Sequence, residues 1–561
     1  MKKFVKRKNV PKTIEGYVKK NVSELDVKCS GRYPNMDQAV DMFLDAAKQD
    51  LRIAIYGDYD CDGVTSLSIF TLLARALKLN NLQTIAPGRF TDGYGINQDR
   101  VDSLIENNVD LIVTVDNGIA ALDPIKRAKE AGVKVLILDH HEAKEELPTA
   151  DLIVDPHCTG ACLDAPFDDL CGAGLSFFFA KKCLDNTLFL RDEFKQELIQ
   201  QMLGIAAIGT IADLVKLQYD NRWIVRHGLE VIHEGHMTVG LRKLIQLAGL
   251  DFEEITPMDV GFTIGPTINA AGRMANKGAD VMVQILTAET ENDAIDKKIA
   301  RAIQLNQERK DLVAEMTVRA TLYMKATDDD NSRFIIYYDE TDDRVHKGVA
   351  GIVASKLTEK YNAPAIVLSG SGNDVKGSGR TFGDVDILEC LKKVDQNLLV
   401  GYGGHPEACG VKVDHDKVDA LREALQKVTP EVHVPEYLEY DYDVKDAEHA
   451  SNFVADMETF GPFGSGNPEP VFHVTGNVVW TKQMGAAKQH IKFTLDNGTD
   501  VIWFDGAKKS LRQTKYPKAK YPKAVEAIGT LSRNVYTYTD RYGHEKAKIT
   551  YQLIAEDAIV S

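Results

Sequence analysis

Gly57-Asp58-Tyr59-Asp60-Cys61-Asp62-Gly63, Thr114-Val115-Asp116-Asn117-Gly118 and Asp139-His140-His141 decide how this chain reads. Each ends a short run rich in β-branched residues: Leu51–Tyr56, Asp110–Val115 and Val133–Leu138. Helical patterns fall between them, at Val64–Lys78, Gln98–Asn107 and Ala120–Ala131, and the alternation continues to about residue 155. That rhythm predicts consecutive parallel strands of an α/β sheet. The carboxyl ends of such strands share one edge, where ligands bind. Taken singly, an Asp-rich stretch is an ordinary solvated turn. Taken together on one edge, unpaired carboxylates repel one another unless a cation sits among them. Asp with a His pair predicts a two-ion Mn²⁺ or Mg²⁺ site and phosphoryl chemistry.

Working outward, Met1–Lys20 is basic, and Asn35–Lys48 carries Met36, Val40, Phe43, Leu44 and Ala47 at helical spacing. Gly172–Gly249 reads as mostly helical, and its apolar stretch Gly204–Ala212 delivers a lone carboxylate, Asp213. Glu289–Met324 is charged, free of glycine and periodic, which predicts one extended helix acting as a strut. A second α/β unit follows, with strands at Phe334–Tyr338, Ala365–Leu368 and Val375–Arg380 and a helix at Val349–Tyr361. Pro430–Pro435 reads as a linker. The remainder alternates at strand period with Phe472, Trp480, Phe493, Trp503, Phe504, Tyr536 and Tyr538, predicting a small β-barrel in which most of Phe493, Trp503 and Phe504 are core. The repeat Tyr516–Lys520 and Tyr521–Ala524 reads as a duplicated exposed loop. The expected units are 1–45, 46–288, 289–326, 327–430 and 431–561.

A chain of 561 residues exceeds what one core supports. No apolar run is long enough to span a bilayer, and no signal-like segment opens the chain. The eight cysteines show no framework, which fits reduced thiols and predicts a cytoplasmic protein. His157, Cys158, Cys162 and Cys171 match no familiar zinc spacing. A net charge of −16 argues against indiscriminate coating of nucleic acid but leaves room for a local basic groove.

The order Asp-x-Asp, Asp, Asp-His-His and a later Asp resembles the DHH phosphoesterase superfamily. The resemblance implies that Asp62, Asp116, His140 and Asp213 hold one ion, that Asp60 and Asp116 hold the second with Asp116 bridging, and that His141 faces the scissile phosphate. Some relatives place a ligating His where this chain has Tyr56; either Asp58 substitutes or that site is weaker. Longer segments, Pro87–Gly95, Gly265–Arg273, His346–Ser355 and Phe460–Pro468, are similar to those of RecJ-like single-stranded-DNA-specific exonucleases. Thr267 stands where a basic residue is often found.

The resemblance covers nearly the whole chain and implies a DHH-type parallel-sheet domain, a DHHA1-like α/β lobe joined by a long helix, and an OB-like barrel, after which the chain is expected to end without the extra C-terminal domain that some relatives carry. It also implies 5′ to 3′ digestion of single-stranded DNA in recombination and repair, with a single-strand-binding protein and a helicase as possible partners and no membrane. Arg89, Arg273, Ser378 and Arg380 are candidates for phosphate contact, with the Gly403-Gly404-His405 loop beside them. Barrel aromatics suit sequence-tolerant stacking on bases. Two other readings are a DHH phosphodiesterase for short oligonucleotides or cyclic dinucleotides, and an inactive replication scaffold. Length and barrel disfavour the first; the presence of the principal carboxylates and His140 disfavours the second.

Overall fold

The computed structural model describes residues 3–22, 31–89, 91–92, 95–143, 146–164, 167–327, 332–338, 346–370, 375–432, 437–507, 523–539 and 544–561. Nearly all of the Tyr516–Ala524 repeat lies outside them, as do Phe90, Gly93 and Tyr94 of the Pro87–Gly95 segment.

The first sheet is parallel throughout, in the order Leu82–Ile85, Ile53–Tyr56, Leu111–Val115, Lys134–Leu138, Leu152–Val154. The outer two strands lack a strong β-branched run and escaped the sequence reading. Ile53–Tyr56 and Leu111–Val115 are buried at every position. Ile53, Ile55 and Val113 join the core on one side, and Ala54, Tyr56 and Ile112 join the core on the other, as a sheet covered on both faces requires. Strand order reverses at Ile53–Tyr56, whose neighbours lie on opposite sides, and this switch point opens the crevice beside Asp58 and Asp116.

One helix begins three residues earlier than the periodicity predicted. Asp60 caps it, its carboxylate accepting the amides of Asp62 and Gly63, so Cys61–Ala76 is the helix and Asp62 sits in its first turn. A side-chain acceptor at the N-cap satisfies amides that the helix leaves open.

Helix Asp293–Ala326, 34 residues long, runs about 50 Å. Its first part (Ile295, Ile299, Ala302) packs into the parallel-sheet domain, and its second part (Val313, Met316, Ala320, Met324) packs under the next sheet. That sheet is mixed, in the order Gly401–His405, Ala408–Val413, Val375–Arg380, Ala365–Ser369, Ile335–Tyr337.

The last unit is a closed barrel. Phe472–Met484, His490–Leu495, Asp500–Trp503, Glu545–Val560 and Ala524–Thr539 pair in that order, and the last returns to the first. Phe472, Phe493 and Trp503 fill it, while Phe504, Trp480 and Tyr536 are more than half exposed. Two of the three expected core aromatics, Phe493 and Trp503, are thus buried; Phe504 follows the end of its strand and meets His490 at the rim.

The basic start divides. Lys3–Lys6 pairs in parallel with Tyr437–Tyr440, and Ile14, Tyr17 and Val18 of helix Ile14–Asn21 enter the barrel core, whereas Met36–Lys48 packs on the parallel-sheet domain. Among the described residues, no helix is long and apolar enough to cross a membrane.

Candidate metal centre

Register brings the carboxylates together. Tyr56 pairs with Thr114 and Val115 with Leu138, so the residues after each strand face one space. Three overlapping groups result: Asp58, Asp60 and Asp116; Asp116, His140 and His141; and Asp62, His140 and Asp213. In each, the potential ligand atoms lie within 4.8 Å of one another. Asp116 belongs to two groups and adopts a left-handed backbone, φ 59°, which turns its carboxylate back over the sheet edge. His140 Nε2 lies 3.1 Å from Asp116, 3.6 Å from Asp62 and 3.8 Å from Asp213. Asp213 arrives as the C-cap of helix Asp192–Ala212.

These residues fit divalent cations. Burial first, then the neighbouring carboxylates, push Asp58, Asp116 and Asp213 well above the usual carboxylate range and Asp60 in the same direction. Asp58 Oδ1 is buried with no hydrogen-bond partner. Burial first, then His141, lowers His140, leaving a neutral ring with a lone pair to share. Several ionisable oxygens and one neutral imidazole suit a hard cation such as Mn²⁺ or Mg²⁺, whose charge removes the repulsion.

His141 is held differently. Its Nδ1 lies 2.7 Å from Asp139 Oδ1, and Asp139 Oδ2 accepts the amide of Ile119 at 2.9 Å. Against the opposing effect of burial, Asp139 raises His141 to about 9, while His141 brings Asp139 down to about 2. Asp139 thus orients the imidazole rather than joining the cluster.

The neighbourhood explains residues that local sequence did not expose. Asp62 accepts the amides of Gly172 and Ala173 at 2.7 and 2.8 Å, so the start of helix Gly172–Asp185 holds its carboxylate. A Cβ at Gly172 would stand 2.7 Å from Cβ of Asp116 and 2.9 Å from Oδ2 of Asp62. Asn269 Oδ1 accepts the amide of Cys61, and Asn117 Nδ2 donates to the carbonyls of Tyr56 and Val115. His157, Cys158, Cys162 and Cys171 form no ligand group among the described residues. Cys171 instead caps a helix.

A cluster of basic residues forms where the two α/β units meet, with Arg273 Nη1 donating to Gly348 O at 3.4 Å. The Arg89 guanidinium lies 4.9 Å over the Tyr59 ring. Burial first, then Arg89, brings Arg273 down to about 10, still charged at neutral pH. Arg309, on the long helix, adds to this. Burial lowers His346 and Arg380, with Arg89 contributing to each. The arginines pressed together in this way favour an anion between them, while the His346 ring, whose Nδ1 accepts the amide of Gly348, stands neutral beside them. Arg309 was missed because nothing local marks a lone basic residue on a helix, and His346, though it opens one of the RecJ-like segments, was not singled out as a site residue. Thr267 is buried, donates to Thr263 O and accepts from Asn306 Nδ2, so it braces the long helix.

The glycine-rich strands divide by face. Gly377 and Gly379 meet the packing: a Cβ there would stand 2.3 Å from Val367 O or 2.6 Å from Cys409 Sγ. Packing against the neighbouring strands therefore demands glycine at both positions. Gly403 and Gly410 are the open ones, in register with Ser378, while Arg380, Ala408 and His405 form the next row. Gly403, Gly404 and His405 lie on the exposed edge strand.

Comparison with known proteins gives three domain matches: the DHH family, N-terminal domain, at residues 52–210, the DHHA1 domain at 331–431 and the RecJ OB domain at 440–542. The chain is 34% identical to the single-stranded-DNA-specific exonuclease RecJ of Bacillus subtilis, over 94% of this chain and 63% of that protein. It thus spans less than two thirds of that relative. To RecJ of Haemophilus influenzae it is 29% identical, over 92% of this chain and 94% of the relative. A crystal structure of RecJ from Thermus thermophilus in complex with Mn²⁺ superposes with a TM-score of 0.75 at 26% identity, covering 96% of this chain and 73% of that one.

Proposed function

From the premise that this chain belongs to the RecJ branch of the DHH phosphoesterases, we propose that it is a metal-dependent exonuclease hydrolysing single-stranded DNA from the 5′ end. The observation that carries this reading is the meeting of a carboxylate cluster, sharing Asp116 between groups, with a cluster of arginines from both α/β units.

Asp62, Asp116, His140 and Asp213 would hold one cation, and Asp58, Asp60 and Asp116 the other. Two such cations supply a nucleophile from water at neutral pH and neutralise charge on the phosphoryl oxygens. The chain's own residues do the rest. Asp139 fixes the His141 ring through Nδ1 and leaves the other nitrogen for an oxygen of the scissile phosphate. Arg89, Arg273, Ser378 and Arg380 grip phosphates on the 5′ side, and their fixed spacing from the carboxylates sets which bond is cut. Trp480 and Tyr536 offer exposed faces for bases beyond the cut. A cytoplasmic setting, work in recombination and repair, and partnership with a single-strand-binding protein and a helicase complete the proposal.

The test is digestion of 5′- and 3′-labelled long single strands, blunt duplexes and dinucleotides with Mn²⁺. Single strands are expected to shorten from the 5′ end while duplex is refused. Equal rates on duplex, or preference for dinucleotides, overturn it.

A further inference from the structure

Phe460–Asn467 lies in the last unit, far from the carboxylates in sequence, yet it grips the segment that carries one of them. Arg222, on helix Tyr219–His233, is 1% exposed. Its Nη1 donates to Pro462 O at 3.0 Å, and its Nη2 donates to Phe460 O at 2.7 Å and Gly461 O at 2.9 Å. A buried guanidinium whose two terminal nitrogens are bonded to three carbonyls of another domain is a costly arrangement unless all three are kept. The loop is also braced from within: Asn467 is fully buried, donates to Pro462 O at 2.9 Å, and pairs through its backbone with Gly464.

The grip extends toward Asp213. The amide of Leu217 donates to Ser465 O at 2.8 Å. Gly466, at φ 70°, lies against Lys216, where a Cβ would stand 2.9 Å from Lys216 Cβ. From the other side, Lys216 N donates to Asp169 Oδ2 at 2.9 Å, and Asn221 Nδ2 donates to Asp169 O and Lys216 O. Between this clamp and Asp213 stand only Leu214, in a left-handed conformation, and Val215, which is buried.

We infer that Arg222, through its clasp on Phe460–Asn467, is a positioning residue for Asp213, so that docking of the barrel domain sets one wall of the metal centre. The inference rests on the metal-centre reading above. Ligands must be held within a fraction of an ångström to bind a cation well, and loss of outer support weakens affinity about 10–100-fold. The barrel would then serve chemistry as well as strand affinity.

The test uses the full chain with Arg222→Ala, Arg222→Lys, Gly466→Ala and Asp213→Ala. Mn²⁺ binding is followed by calorimetry, strand affinity by anisotropy in EDTA, and cleavage in single turnover at saturating strand. Arg222→Ala is expected to weaken one Mn²⁺ by roughly tenfold or more and to slow single turnover, with the rate recovering at high Mn²⁺ and strand affinity unchanged. Arg222→Lys should restore part of both, since lysine keeps the charge and loses the fork. Unchanged Mn²⁺ binding and turnover, with or without weaker strand binding, overturn the inference. If Arg222→Ala shows no cooperative melt, Gly466→Ala, which keeps the buried arginine, decides by the same readouts. Wild-type Mn²⁺ binding by Asp213→Ala would instead remove the metal-centre reading on which the inference stands.

Discussion

The two α/β sheets deliver polar residues in opposite ways. In the parallel sheet, Asp58, Asp116 and Asp139-His140-His141 leave the ends of three adjacent strands and converge on one space. In the mixed sheet, Lys376, Ser378 and Arg380 share one face of a single strand, with Lys412, Gly410 and Ala408 beside them in register. Strand geometry spaces such residues about 7 Å apart. An edge concentrates charge at a point, as bond cleavage requires; a face spreads it along a line, as holding a chain requires. The coverage differs as well: the first sheet is buried on both faces along its central strands, whereas the second packs Val375, Val411 and Val413 beneath, is covered on its other face by helices only over Ile335, Tyr337, Ala365 and Val367, and leaves the edge strand Gly401–His405 exposed.

If the edge carries the chemistry, Asp116→Ala should lower cleavage by roughly a thousandfold or more, because the shared oxygen is lost from both groups at a cost of several kcal/mol. Strand binding in EDTA should persist. Near-normal turnover would end the distinction between the sheets. Asp139→Asn tests the same edge one step out. It keeps the shape but no longer enforces the His141 orientation, and a loss of roughly a hundredfold in turnover with little change in KM is expected. A change confined to KM would move His141 to strand binding.

About half of this contrast was legible in sequence. Asp116 and His140 were legible as neighbours because each follows a locally recognisable strand, whereas Asp213 was tied to them only by the family resemblance. Asp62 was legible as a residue but not as a helix position. Only the fold shows its oxygens taken by Gly172 and Ala173. The role of Gly377 and Gly379 was not legible, since a glycine looks the same whether packing or a ligand demands it.

The face is tested by Arg380→Ala, expected to cost about 1.5–3 kcal/mol, tenfold or more in KM, on short 5′-phosphorylated strands. The loss should be smaller on 5′-hydroxyl strands, and Arg380→Lys should recover part. Equal losses on both would assign Arg380 to the internal backbone. The smallest effect is expected at Trp480→Ala. Loss of one half-exposed stacking surface should cost ~1 kcal/mol, about fivefold, on long strands and nothing on short ones. A fall in thermal stability instead would make Trp480 a packing residue like Phe493, which is fully buried.

The sequence by itself determined the parallel strands, the long helix, the second α/β unit, the barrel and the chemistry of the carboxylate cluster. All follow from local periodicity and from residue types whose charge needs a partner. The tertiary structure alone decided that Arg309 and His346 join Arg89, Arg273 and Arg380, that Thr267 braces the long helix, that the N-terminal helix belongs to the barrel core, and that Phe460–Asn467 clasps Arg222. Each depends on a contact between residues far apart in the chain. No pattern within a window of neighbours encodes such a contact, because its energy exists only once both surfaces have folded and met.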